Sequence, residues 1–373
     1  MKPSIIHFTT VHPRADTRIR IKEVATLARF WPDEVALFVQ DGQGDEVVTE
    51  ANFFIHDTGP AQSGRLRRMT LGAWRMFRAV RKARPKIAHF HDPELIPWAM
   101  LLRLSGIQII YDVHEDVPAA IQSKPYIKPA FRMTVAKLMT AIEGLVAKLS
   151  VAVIPATPSI GQNFPPGKST LVQNFPLLSE LLVEDADRND GVEPNFAYVG
   201  GLSSIRGAVE MVEALTLMPN ASAKLQMAGG MPPDLEAKLK EMQGWSQVRF
   251  HGWAGRPEVA NLLAVCRAGL VLFHPEPNHI RAQPNKMFEY MAAGLPVIVS
   301  DFPLWREIVE GADCGLMVDP LDPQAIADAM QWILDHPADA EQMGRRGRKA
   351  VEQQYNWEAE SENLVALYRT LIS

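Results

Sequence analysis

Along this 373-residue chain, short apolar runs of strand length alternate with longer segments of helical apolar spacing, and the alternation is interrupted once. Units of this kind bury their apolar faces by stacking into a mainly parallel sheet with helices on both sides. The first series of strands is expected at Ser4–Phe8, Val35–Val39, Asn52–Ile55, Ile87–Phe90, Ile107–Tyr111, Val151–Ile154 and Thr170–Gln173. Helices are expected near 16–28, 65–83 and 94–104, with two more over about 118–149, the first of all capped by Asp16. From Ser179 to Asn195 the sequence turns acidic and loses periodicity, as a boundary would. The alternation then restarts, with strands at Phe196–Val199, Lys224–Ala228, Val248–His251, Gly269–Phe273, Pro296–Ser300 and Leu316–Val318. The expected division is residues 1–180, residues 195–356 and a final helix over 357–373. The fold class is α/β, with two doubly wound, Rossmann-like domains.

Several function classes lose their support. Neither Gly-x-Gly-x-x-Gly nor a Walker loop occurs where a strand passes into a helix, which argues against ordinary NAD-binding and P-loop chemistry. Cys266 and Cys314, the only cysteines, lie in apolar segments, so no disulfide framework or cysteine metal cluster is indicated and a reducing compartment is expected. The chain starts as a strand rather than as a signal peptide, and no run reaches the roughly 18 apolar residues of a membrane span, so a cytoplasmic location is expected.

The net charge of −5 is divided unevenly: residues 1–180 hold 22 Lys/Arg against 16 Asp/Glu, and the remainder 16 against 27. Between Ser63 and Pro85 lie Arg65, Arg67, Arg68, Arg75, Arg78, Arg81, Lys82 and Arg84 with no acidic residue, opposite an apolar stripe of Leu66, Met69, Ala73, Phe77 and Val80. Two readings of this basic face stand open. One is peripheral attachment of the N-terminal domain to an anionic membrane surface, and the other is a plain solvated face. Nucleic acid is not an expected partner, because the chain as a whole is acidic and lacks aromatic-basic interleaving.

The most informative stretch runs from Pro284 to Ser300, Pro-Asn-Lys-Met-Phe-Glu-Tyr-Met-Ala-Ala-Gly-Leu-Pro-Val-Ile-Val-Ser. Pro284 suits a helix start, Met287, Phe288 and Met291 recur at core spacing, and Gly294 followed by Leu-Pro ends the helix before a buried strand. Asn285, Lys286 and Glu289 then share one polar helix face at the carboxyl edge of a parallel sheet, where ligands bind. A cation near a helix N-terminus suits a phosphate, and a carboxylate one turn on suits two ribose hydroxyls. The bland alternative is an ordinary amphipathic helix with a charged outer face.

This stretch resembles the donor-site helix of retaining, GT-B-fold glycosyltransferases of the family-four group, which build bacterial polysaccharides and glycolipids. Asp16-Thr-Arg-Ile, His91-Asp-Pro-Glu, Tyr111-Asp-Val-His-Glu-Asp and Val199-Gly-Gly-Leu extend the likeness over most of the chain. The resemblance implies two domains facing across a cleft, a C-terminal helix returning to the first domain, and Glu289 holding the ribose of a nucleotide sugar. It places His114 near the donor sugar. Arg18, His91, Asp92, Glu115 and Arg281 are expected at the acceptor or sugar cleft, His91, Asp92 and Glu115 because they fall just after strands of the first domain.

Phe196 to Gly207 reads as a strand, a glycine turn and a helix start, in which Gly200 and Gly201 allow close backbone approach and Arg206 adds a cation at the helix entrance. This suits a diphosphate; a tight turn with an exposed arginine is the plain alternative. Where the family reads Gly-Arg-Leu, Gly201 replaces the arginine. Arg206 stands in for a family lysine, and Lys286 becomes the second expected cation. The family's first donor-site glutamate is replaced by Arg281, with Glu276 out of register, which puts recognition of the sugar in question more than that of the nucleotide.

His91, Asp92, His114, Glu115 and Asp116 also have ligand types suited to a metal, or could simply cap helices, but no paired i,i+4 histidines or HExxH spacing supports a metal site. The expected function is glycosyl transfer with retention from a nucleoside-diphosphate sugar, UDP being the expected nucleotide, to the hydroxyl of a sugar or lipid-linked sugar acceptor. No cofactor and no metal are expected. His114, Arg206 and Lys286 are the expected catalytic residues. A nucleotide-sugar epimerase and a non-catalytic nucleotide-sugar binder are the alternatives.

Overall fold

The computed structural model describes residues 3–124, 127–181, 194–219 and 222–372. The chain divides into two compact units: Met1–Asn174 with Glu358–Ser373, and Phe175–Trp357. Most of the acidic stretch read as the boundary lies outside the described residues. The division falls at Asn174/Phe175, ahead of the expected 180, where the Phe175 ring packs edge-on against Phe288 and Tyr355 of the second unit.

The first unit holds β1 (Ile5–Phe8), β2 (Val35–Val39), β3 (Glu46–Val48), β4 (Phe53–Asp57), β5 (Ile87–Phe90), β6 (Gln108–Val113) and β7 (Ala152–Pro155). They lie in the order β3-β4-β2-β1-β5-β6-β7, all parallel except β3, which pairs antiparallel with β4. The direction of winding reverses between β1 and β5, where His7 is in register with His89. β1, β2, β5 and β7 are buried along their whole length, as strands covered on both faces must be.

The second unit holds β8 (Asn195–Val199), β9 (Lys224–Ala228), β10 (Val248–Phe250), β11 (Cys266–Val271), β12 (Val297–Ser300) and β13 (Gly315–Val318). Its order, β10-β9-β8-β11-β12-β13, is parallel throughout and is the strand order of dinucleotide-binding folds. The switch point lies between β8 and β11. Both halves are therefore doubly wound α/β units, as the alternation predicts.

Two local expectations are corrected. Thr170–Gln173 is no strand: it runs beside β7 through a single bridge from Ser169 to Val153, and Arg18 Nη1 donates to the Val172 carbonyl. The helix expected over 65–83 is continuous only from Ala73 to Ala83. Before it lie a short turn at Arg65–Arg67 and wider i→i+5 turns at Arg68–Gly72. The wider turns carry more residues per revolution, so Leu66 and Met69 fall out of phase with Ala73, Phe77 and Val80 and are exposed. Strand β3 and a helix at Pro337–Gln353 were not expected, the first being only three residues long and the second polar over most of its surface.

The helix Trp357–Ile372 ends the chain, and Glu358 onward belongs to the first unit. There the Glu360 carboxylate accepts from Gln173 N–H at 2.8 Å, and Tyr368 is fully buried against His7 and His89. Cys266 and Cys314 are buried, and neither forms a disulfide. Among the described residues, no helix is long and apolar enough to cross a membrane.

Candidate functional site

In the second unit the polar residues singled out from the sequence gather at the carboxyl ends of β8 and β11. Gly200 follows β8 with φ +112°, and a Cβ there would sit 3.3 Å from Lys286 Nζ. Gly207 is left-handed too, and a side chain on it would collide with the Leu272 carbonyl, so glycine lets the turn after β8 lie against the segment after β11. A backbone hydrogen bond from His274 N–H to the Ile205 carbonyl, 2.9 Å, joins the two segments. The helix Asn285–Ala292 is anchored beneath them. Tyr290 packs over Gly269, and its hydroxyl oxygen accepts from Val199 N–H at 2.7 Å, at the last residue of β8.

Lys286 was expected on the polar face and is instead buried, 8% exposed. Its stem runs beneath the Gly200 turn and puts Nζ 3.6 Å from the centre of the Tyr198 ring and 5.5 Å from that of Phe273. Among the described residues the amine has no hydrogen-bond partner. Burial, and next the Arg206 charge, push its pKa well below the ordinary lysine value. Ring faces attract a cation but do not accept its N–H bonds as oxygens do, so this amine is held short of partners beside a glycine turn. Arg206 ends a 3-10 turn rather than opening the α-helix; it donates from Nη1 to the Gly201 carbonyl at 2.9 Å and lies over the Phe273 ring.

Glu289, one turn along from Lys286, accepts from Arg256 Nη1 at 2.6 Å. Asn285 is exposed in the first helical turn, and Arg281 is exposed on the segment leading into the helix. Gly200, Gly201, Arg206, Lys286 and Glu289 are thus carried by one sheet edge at its switch point. Tyr198, Phe273, Tyr290 and Arg256 complete the site and were not foreseen. An aromatic at a strand end reads as core until its ring is seen beneath an amine.

In the first unit, three residues expected to line the acceptor or sugar side prove to be interior supports. Arg18 is buried, donating through Nε and Nη2 to both oxygens of Asp112 at 3.0 and 2.7 Å and lying 3.0 Å from Glu23. Asp92 is buried and accepts from Thr10 N–H and from the hydroxyls of Thr9 and Thr10, tying the loop after β1 to that after β5 across the switch point. His91 is buried, with Nδ1 2.9 Å from Asp112 Oδ2 and Nε2 3.1 Å from His7 Nδ1. His114 and Glu115 remain accessible. His114 Nε2 lies 3.0 Å from Asp112 Oδ2, so the carboxylate that Arg18 holds also orients His114. Asp116 caps the next helix through Ala119 N–H.

Burial alone would raise the Asp112 pKa, but Arg18 and next His114 outweigh it and hold the carboxyl well below its ordinary value. Burial lowers His7 and His89 far below the ordinary imidazole range and His91 to about 4, so all three are neutral. One proton arrangement satisfies the chain they form: His89 Nδ1–H donates to the Tyr368 oxygen at 2.8 Å, the Tyr368 hydroxyl to His7 Nε2, His7 Nδ1–H to His91 Nε2, and His91 Nδ1–H to Asp112. The sets His7/Glu23/His89/His91 and His91/Asp112/His114 have metal-ligating atoms close together. Arg18, paired with Glu23 and Asp112, already supplies positive charge there.

Two family models match the chain: the glycosyl transferase 4-like domain over residues 23–165 and glycosyl transferases group 1 over residues 193–336. Over 191 residues the chain is 30% identical to D-inositol 3-phosphate glycosyltransferase of Corynebacterium glutamicum, a match covering 48% of this chain and 43% of that protein. The chain spans about four-tenths of the length of the curated relatives it matches first. Among solved structures, sucrose-phosphate synthase from Thermosynechococcus elongatus is similar at a TM-score of 0.81 with 22% identity over 99% of both chains. Anabaena HepE in complex with UDP-glucose is similar at 0.72 with 13% identity, over 98% of this chain and 99% of that one. With one model on each unit, and two parallel-sheet units like those of these structures, the chain belongs to the GT-B-fold glycosyltransferases of the family-four group.

Proposed function

We propose that the protein transfers a glycosyl group, with retention of anomeric configuration, from a nucleoside-diphosphate sugar to an acceptor hydroxyl in cell-surface polysaccharide or glycolipid assembly. The observation that carries this reading is the buried, unpartnered Lys286 amine beside the Gly200 turn at the switch point of the second unit. A diphosphate there gives the amine its missing acceptors and favours its charged form. UDP is the nucleotide of choice, since HepE, of similar fold, is described in complex with UDP and with UDP-glucose.

As the bond from the anomeric carbon to the phosphate oxygen breaks, negative charge grows on the diphosphate, and Lys286 and Arg206 stabilise it more in the transition state than in the ground state. Glu289, fixed on one side by Arg256, accepts from the ribose hydroxyls. The acceptor oxygen bonds to the anomeric carbon from the leaving-group side, and its proton passes to the departing phosphate oxygen. His114, oriented by Asp112, is assigned to the transferred sugar, and Glu115 to the sugar or acceptor.

The test is a calorimetric screen of nucleoside diphosphates, then a screen of UDP-sugars for UDP release with sugar and lipid-linked acceptors, and product anomers read by NMR. UDP binding with acceptor-dependent release and a retained anomer is the expected result. An epimerised nucleotide sugar formed without acceptor, or UDP bound with no turnover under any acceptor, would refute it.

A further inference from the structure

The arginine-rich segment Ser63–Pro85 is not the most exposed apolar element of the first unit, because Ala73, Met76, Phe77 and Val80 turn its helix into the core. The helix Pro129–Leu149 differs. It seats Ala136, Glu143, Val146 and Ala147 inward and leaves a second apolar stripe outside: Phe131, Val135, Leu138 and Leu145, spaced by four, three and seven residues. Phe131 is 59%, Leu138 61% and Leu145 49% exposed, and Met133 beside them 55%. Isolated exposed leucines need no explanation, but a periodic row over four helical turns marks a face that something covers.

Charge identifies the partner. The only acidic residue of this helix is Glu143, which lies inside, accepts from the Tyr111 hydroxyl at 3.0 Å and is pushed up to about 7 by burial. Lys128, Lys137 and Lys148 are exposed around the stripe. The neighbouring helix Ile96–Leu104, tied to the end of this one by Arg103 Nε–H donating to the Leu149 carbonyl, exposes Leu101, Arg103 and Leu104. Beyond it the Ala73–Ala83 helix exposes Trp74 and Arg78, with the guanidinium over the ring.

We infer that this side of the first unit, led by the outer stripe of Pro129–Leu149, lies on an anionic lipid surface, with apolar side chains entering the headgroup boundary and the surrounding lysines and arginines meeting lipid phosphates. A second copy of the chain fits the helical spacing but would set Lys128, Lys137 and Lys148 against their own kind with no acidic residue of this helix to meet them. The inference is independent of the donor-site assignment.

The experiment is co-sedimentation of the full chain with phosphatidylcholine vesicles made with or without phosphatidylglycerol. Binding to the anionic vesicles alone is expected, declining with salt. The variant L138E/L145E, altered only at exposed positions, should bind about ten-fold or more weakly while keeping its melting temperature and its affinity for UDP. If that variant melts lower, Phe131→Ser supplies the same comparison. Sedimentation of the variants equal to the parent's, or equal binding to both vesicle types, would overturn the inference. So would light scattering that finds a dimer which L138E/L145E converts to monomer. Loss of UDP binding by the parent would strike the donor site and leave the vesicle result standing.

Discussion

Replacing Lys286 by methionine tests the donor site most directly, because stem length and ring contacts are retained while the charge is removed. In the free protein the amine is nearly fully buried, without a hydrogen-bond partner, and close enough to Arg206 to feel its charge. A buried polar group without a partner costs about 1–3 kcal/mol, so Lys286→Met is expected to stabilise the free protein by that order. Each kcal/mol corresponds to about 2–4 °C in Tm for a unit of this size. The bound state should respond in the opposite sense. A hydrogen bond between charged groups contributes about 1.5–3 kcal/mol, so UDP should bind about ten- to a hundred-fold more weakly. Uridine, which lacks the diphosphate, should bind parent and variant alike.

The pH dependence has a definite sign as well. Burial depresses the Lys286 pKa in the free protein, and a bound diphosphate raises it again, so binding takes up a proton and UDP affinity falls as pH rises through the interval between the two values. Calorimetry in buffers of different ionisation enthalpy measures that uptake, and differential scanning fluorimetry the Tm. A variant that melts no higher and binds UDP within about two-fold of the parent would refute the reasoning, since RT ln 2 is well below the contribution of one such bond.

Arg206→Ala should lower turnover about a hundred-fold, the scale of losing one preorganised charge-stabilising donor, in steady-state assays of UDP release. Glu289→Gln should weaken UDP by about ten-fold and narrow the difference between UDP and 2′-deoxy-UDP seen with the parent; an unchanged difference by calorimetry removes Glu289 from the ribose. Tyr368→Phe removes one hydroxyl and leaves His7 Nε2 and His89 Nδ1 without their partner, so denaturant unfolding should show a loss of about 1–3 kcal/mol although the ring still packs. Arg67, Arg68, Arg75 and Arg78 replaced together by Gln should weaken sedimentation with anionic vesicles and make what remains less sensitive to salt.

The amino-acid sequence by itself determined the alternation of strands and helices, the two doubly wound halves, and the positions of Gly200, Arg206, Lys286 and Glu289 at one sheet edge. These follow from local periods, glycine turns and helix starts, which act over a few residues and leave their mark in order along the chain. Only the tertiary structure decided how the side chains at those positions are used. Lys286 and Glu289 share a helix turn, yet one lies under a glycine turn on an aromatic ring and the other meets Arg256, 33 residues away. Arg18 and His91 are expected at the cleft, His91 because it follows a strand, but Asp112, at separations of 94 and 21 residues, draws both inward. Tyr368 closes the histidine chain from 361 residues beyond His7. Charge and hydrogen-bonding capacity are written in the residue type, whereas burial, which makes a lysine an unsatisfied cation or an arginine a structural clamp, depends on what the remote chain brings alongside.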